Sequence, residues 1–261
     1  MQKDGYLAGI HRLLIVPDGV LNYVPFSALP TGNDRFLSDE FTVGYLPSAV
    51  ALTNKGLAEA SRRTLLAMAP TDTQLPNAAI EVRDIGRLFP GTSRVIVGKS
   101  ATETLFKREA EKYDYLHLAT HGALNRNAPL LSALEFAPDD QNDGRLELHE
   151  IVGMKLHARL VTLSACETAL GEGYFNDIPA GNEFVGIAQA FLSAGGQSVL
   201  ASLWPVNDES TQNLMEKFYQ SLSKTGGASA LARAQQQLRR SDPRFRHPYY
   251  WAGFVMVGPV N

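Results

Sequence analysis

Cysteine is almost missing from this chain: of 261 residues, only Cys166 carries a thiol. An internal disulfide is therefore excluded, and the composition suits a reducing compartment. No apolar run approaches the ~20 residues that a membrane-spanning helix needs. The opening Met1-Gln2-Lys3-Asp4-Gly5 lacks the apolar stretch of a secretory signal. Charge of one sign is not in excess either. Lys and Arg number 24 against 27 Asp and Glu, a formal net charge of −3, which gives no footing for nucleic acid or an anionic membrane. These absences set an expectation of a cytoplasmic protein that contacts no nucleic acid directly and no membrane. What is present is a 44% hydrophobic content, enough for a large core, in a length that suits one large α/β domain or a domain with a smaller appendage.

The first sixty or so residues read as strands and turns. Arg12 to Val16 ends at Pro17-Asp18-Gly19, Leu21 to Leu29 reads as an extended edge segment containing Pro25, and Phe41 to Leu46 alternates with period two. From about Thr64 the pattern becomes β–α alternation. Strands are expected at 65–69, 94–97, 115–120, 133–136, 160–165, 197–203 and 251–257. Helices are expected near 77–89, 102–111, 146–152 and 182–194, with two more carrying Leu214/Phe218/Leu222 and Leu231/Ala234/Leu238. Such alternation implies a mostly parallel sheet covered by helices on both faces. The soft boundary predicts a β-rich accessory unit at residues 1–62 and an α/β body at 63–261.

Two strand ends carry the chemistry. Tyr115-Leu116-His117-Leu118-Ala119-Thr120 runs into His121-Gly122, and Leu160 to Ala165 runs into Cys166-Glu167-Thr168. Ligands and reactions collect at the carboxyl ends of strands in open α/β sheets. A thiol and an imidazole delivered there are the two parts of a cysteine nucleophile. Lone cysteines are also common as inert core residues, but Cys166 ends a strand and has His121 one crossover earlier. Gly122 lets its N–H approach a substrate oxygen closely, so Gly122 and Cys166 N–H groups form a candidate oxyanion hole. His117 alternates onto a core face. A zinc helix is not supported by Leu118 between the histidines, and no metal or cofactor is expected. His149, His157 and His247 read as structural.

These motifs resemble those of the CHAT domain family, caspase-like proteases related to caspases and separases and commonly joined to TPR repeats. The resemblance rests on Val16-Pro17-Asp18-Gly19, Pro25-Phe26, Leu46-Pro47-Ser48, the Leu116–Gly122 and Leu163–Thr168 segments, Ala190-Phe191-Leu192, Ala201–Val206 and His247–Ala252. It implies a caspase-like three-layer sandwich with a mostly parallel central sheet, and it carries the dyad onto His121 and Cys166. It further implies a bacterial cysteine endopeptidase acting on protein or peptide substrates, with a regulatory TPR or sensor protein as partner. The main alternative is a catalytically idle caspase fold kept for partner docking, and a third is an acyltransferase or amidohydrolase using the same dyad on a small substrate.

Substrate capture is expected at Ser202-Leu203-Trp204, where a strand end with free backbone groups would pair with an extended peptide. Trp204 either walls the pocket or anchors the core. Asp177 and Asp208 are candidate acids facing a basic substrate residue, with Asp208 alternatively the N-cap of its helix.

Overall fold

The computed structural model of this chain describes residues 5–49, 51, 63–70, 75–123, 125, 127–164 and 182–259, the side chains of 182–185 excepted. Its front part contains β1 (Arg12–Ile15), a hairpin of β2 (Pro30–Gly32) and β3 (Arg35–Phe36), the single turn α1 (Leu37–Glu40) and β4 (Thr42–Tyr45). The body continues with β5 (Leu65–Ala69), α2 (Ala78–Arg87), β6 (Ser93–Val97), α3 (Glu103–Glu109) and β7 (Tyr115–Leu118). Then come the short strands β8 (Gly122–Ala123), β9 (Ala133–Glu135) and β10 (Arg145–Glu147), followed by α4 (Leu148–Gly153) and β11 (Leu160–Leu163). The last elements are α5 (Asn182–Ser193), β12 (Ser198–Ser202), α6 (Asp208–Thr225), α7 (Gly227–Ser241) and β13 (Phe254–Val257).

Eight of these strands make one sheet in the order β1-β4-β13-β12-β11-β7-β5-β6. All its pairings are parallel except β12 with β13. The body strands are apolar on both faces because both are covered. Along β5, Leu66 and Met68 enter one core with Phe106 of α3, Ile151 of α4 and Phe191 of α5. Leu65 and Ala67 point the other way, into a core with Val82 of α2, Phe218 of α6 and Leu231 of α7. The two-residue period of the strand thus divides one segment between two layers. This is a three-layer α/β sandwich with a mostly parallel central sheet.

The helix boundaries follow local chemistry. At α6 the Asn207 side chain accepts the Ser210 N–H at 3.0 Å, and Asp208 and Glu209 sit in the first turn, favoured by the dipole. The cap is therefore Asn207, and the expected capping role of Asp208 is corrected by one position. After α5 the chain passes through Gly195 at φ +110°, where a Cβ would lie 2.2 Å from the Leu156 carbonyl oxygen. Only glycine fits that turn.

Three further expectations change. Residues 21–29 are not extended: single 3-10 turns occupy Gly19–Tyr23 and Phe26–Ala28. Pro25 sits between them without an N–H to offer a ladder, and the Asn22 amide closes the first turn onto the Gly19 carbonyl. The last strand begins at Phe254, because Pro248–Tyr250 is another such turn. Finally, β1 and β4 do not build a sheet of their own. Tyr45 pairs with Val257, and the Gly258 N–H bonds the Tyr45 carbonyl at 2.8 Å, so the front strands extend the main sheet past β13. The expected division at 62/63 falls between strands of one layer.

Candidate functional site

β7 and β11 are neighbours in parallel register, with Leu116 opposite Val161 and Leu118 opposite Leu163. The Ser164 N–H then bonds the Leu118 carbonyl at 2.8 Å. His121 stands three residues beyond Leu118, and Cys166 three beyond Leu163 in sequence. Cys166 and Asp177 lie outside the described residues.

The exit of β7 is pinned on both sides. The Ala119 N–H bonds the Met68 carbonyl of β5 at 2.9 Å, and the Thr120 hydroxyl bonds the Glu135 carbonyl of β9. The His121 carbonyl in turn accepts the Glu135 N–H at 2.9 Å. With Gly122 opposite Leu134, that bond makes Gly122–Leu134 a non-hydrogen-bonded antiparallel pair. The Gly122 N–H therefore points away from β9 and is left out of that ladder. His121 itself is half-buried.

Beneath these strand ends lies a buried polar chain that the sequence did not reveal. Its members are Glu81 of α2, His117 of β7, Thr162 of β11, Ser164 just past it and Tyr219 of α6, each at most 3% exposed. His117 Nε2 is 2.8 Å from Glu81 Oε1, and Nδ1 is 3.2 Å from the Tyr219 hydroxyl. The Thr162 hydroxyl is 2.9 Å from the same Tyr219 oxygen, and the Ser164 hydroxyl donates to Glu81. A carboxylate only accepts, so Nε2–H donates to Glu81. With a neutral imidazole, Nδ1 accepts from the Tyr219 hydroxyl, which in turn accepts from Thr162. Burial drives the Tyr219 phenol far above its ordinary range, so it stays protonated and able to donate. The expected core role of His117 holds. The one available signal for Glu81 was a carboxylate on the apolar stripe of Ala78, Val82 and Ile85.

The residues expected to capture substrate separate. Ser202 is fully buried and opposite Phe254, and Leu203 is 2% exposed. The Leu203 N–H already bonds the Gly253 carbonyl at 2.8 Å, because β13 runs antiparallel alongside and its approach reaches past the end of β12. The expectation of a free N–H there is corrected. Trp204 is half-buried, its indole N–H donates to the Tyr249 carbonyl at 3.1 Å, and its ring packs against Gly253. Asp208 Oδ2 accepts the Asn77 N–H at 3.0 Å and joins the starts of α6 and α2. His149 and His157 lie beside Glu147 and Glu111, and the His247 ring accepts the Tyr249 N–H. Among the described residues, no cluster of three or more His, Cys, Asp or Glu is placed to hold a metal ion.

Comparison with known proteins gives one family and one fold. The CHAT domain model matches residues 2–259. Tetratricopeptide repeat protein 28 of Mus musculus is 24% identical over 311 residues, covering 99% of this chain but 12% of its own length, and the Homo sapiens protein gives the same figures. The chain thus spans about an eighth of these relatives. Among solved structures, separase in the Saccharomyces cerevisiae separase–securin complex superposes with a TM-score of 0.63 at 14% identity, over 92% of this chain and 15% of that one. The Arg-specific cysteine proteinase gingipain R gives a TM-score of 0.58 at 9% identity, over 98% of this chain and 65% of that one. These two are caspase-like folds, and the mostly parallel α/β sandwich of this chain is of that kind.

Proposed function

The chain belongs to the CHAT domain family, and on that footing we propose that it is a cysteine endopeptidase with Cys166 as nucleophile and His121 as base. The carrying observation is the register of β7 against β11, from which both residues follow at the same offset on adjacent strands. A free thiol, with a pKa of about 8.5, is only slightly ionised at neutral pH. In this reading His121 takes the Cys166 proton as the sulfur attacks a peptide carbonyl. The tetrahedral oxyanion is held by the N–H groups of Gly122 and Cys166. His121 then protonates the leaving amine, and water releases the acyl-enzyme.

The N–H of Gly122, turned away from its ladder, supports its part in this scheme. Of the three expected capture residues, Trp204 is the one that remains partly exposed, and it is the proposed wall of the substrate cleft. The tetratricopeptide name of the relatives supports a TPR or sensor protein as regulatory partner.

Peptide acyloxymethyl ketones of varied sequence, followed by mass spectrometry of the labelled residue, test the assignment. Label is expected on Cys166, and both Cys166→Ala and His121→Ala should abolish peptide cleavage. The double variant should be no more impaired than either single one, since the two residues act as a unit. Cleavage that survives in Cys166→Ala would sink the proposal.

A further inference from the structure

The reversal between β12 and β13 places the starts of β13 and β4 at the sheet end where β7 and β11 finish. Just ahead of those starts lies an open groove lined by Arg35, Phe36, Asp39, Arg239, Arg240 and Arg246. Asp34 also lines it, so four guanidinium groups face two carboxylates. One of these carboxylates is already engaged: Asp39 accepts Arg239 Nη2 at 2.6 Å and the Phe36 N–H at 2.9 Å. The Arg239 guanidinium lies 4.8 Å from the Phe36 ring centre and 5.3 Å from that of Trp251. Its Nη1 is buried with no hydrogen-bond partner among the described residues. A buried donor left in this state asks for an acceptor from elsewhere.

The remaining arginines are exposed. Arg240 and Arg246 make no ion pair among the described residues, and Arg35 reaches Glu40 only at 3.9 Å with its side chain 55% exposed. The cations are all arginine, whose planar fork matches carboxylate oxygens two at a time. The whole chain carries a net charge of −3, so the positive charge is local and not the broad basic face that nucleic acid requires. β4 lies three strand spacings from β11, about 14 Å. An extended peptide crosses that distance in about four or five residues.

We propose that this groove binds the carboxylate side chains of an acidic, extended polypeptide segment. The proposal rests on the peptidase reading only in taking a polypeptide as the visitor to this end of the sheet. Phe36 supplies an apolar wall for the aliphatic stems. Arg240 and Arg246 supply the outer contacts, and Arg35 stands beside them.

Binding is measured on the 261-residue Cys166→Ala protein by fluorescence anisotropy, using a labelled peptide of alternating Glu and Ser and its Gln counterpart. The Glu peptide is expected to bind and the Gln peptide not to. Arg240→Gln and Arg246→Gln, both at exposed positions outside the core, should each weaken binding ~5-fold, with the effect shrinking at high salt. Equal affinity for the two peptides, or unchanged affinity in the double variant, overturns the proposal. So does tighter binding of a single-stranded oligonucleotide, or complete displacement by millimolar inorganic phosphate. Alkylation of Cys166 by iodoacetamide, measured with the cysteine intact, should be the same in the Arg240→Gln/Arg246→Gln variant. An inert Cys166 with Glu-peptide binding retained would remove the peptidase reading and leave the groove standing.

Discussion

Glu81 Oε1 lies 2.8 Å from His117 Nε2 in the sealed space between α2 and the sheet, and the Ser164 hydroxyl donates to that same oxygen. One carboxylate thus ties together a helix and both strands that lead to the candidate dyad. His117 precedes His121 by four residues, and Ser164 precedes Cys166 by two. The arrangement has the residue types of a catalytic triad but not its order, because the serine donates to the acid and not to the imidazole. Its role is to hold two strand ends at one height.

Removing the acceptor leaves two buried donors without partners. Glu81→Ala should lower the free energy of unfolding by about 3 kcal/mol, and Ser164→Ala by about 1 kcal/mol. Urea titration measures both. The double variant should cost less than the sum of the two, because Ser164 has already lost its acceptor in Glu81→Ala. Strict additivity would show that the two groups do not share a bond.

The turn at Gly195 admits no side chain. Gly195→Ala puts a methyl carbon onto the Leu156 carbonyl in backbone space where L-residues are strained. A loss of about 2 kcal/mol or more is expected from the urea midpoint. A neutral effect would mean that the α5–β12 connection rearranges freely.

Burial works to raise the Asp39 carboxyl, but the Phe36 N–H and the Arg239 guanidinium outweigh it and hold the group below its ordinary value of 3.8. A depressed carboxyl stabilises the fold above that value, and its contribution is lost as pH falls through the lowered one. Asp39→Asn should therefore cost about 2 kcal/mol at neutral pH, with the gap in melting temperature from the parent closing below pH 4. A gap that widens on acidification would contradict the sign.

Because β4 and β1 continue the sheet beyond β13, a chain starting at Arg63 would bare the β13 edge and the face of α7 that packs on β4. Such an edge templates association. Size-exclusion chromatography with light scattering should show aggregates. A monomer with the parent melting temperature would mean that the front strands are dispensable.

The body of the fold was legible because its strands are short apolar runs and its helices carry apolar stripes, both local signals. Membership of the front strands in the same sheet was not. That depends on Tyr45 meeting Val257, a pairing between opposite ends of the chain that no window of sequence contains. At the candidate site, His121 and Gly122 were visible as punctuation just past the end of β7, while Cys166 lies outside the described residues. The core role of His117 could be read from its alternation, but its partners Glu81 and Tyr219 lie 36 and 102 residues away. The Leu203 N–H was expected to be free because its acceptor, the Gly253 carbonyl, is brought beside it only after α6, α7 and the Pro248–Tyr250 turn.

The single antiparallel junction in the sheet also gives the domain a polarity. β1 runs parallel to β4 with Arg12 opposite Thr42, so polypeptide arriving ahead of Arg12 comes in at the end where β7 and β11 finish. Polypeptide leaving after Val257 departs at the opposite pole. A module joined in front therefore has a short route to the end that carries the candidate site, whereas one joined behind must wrap around the whole sheet to reach it.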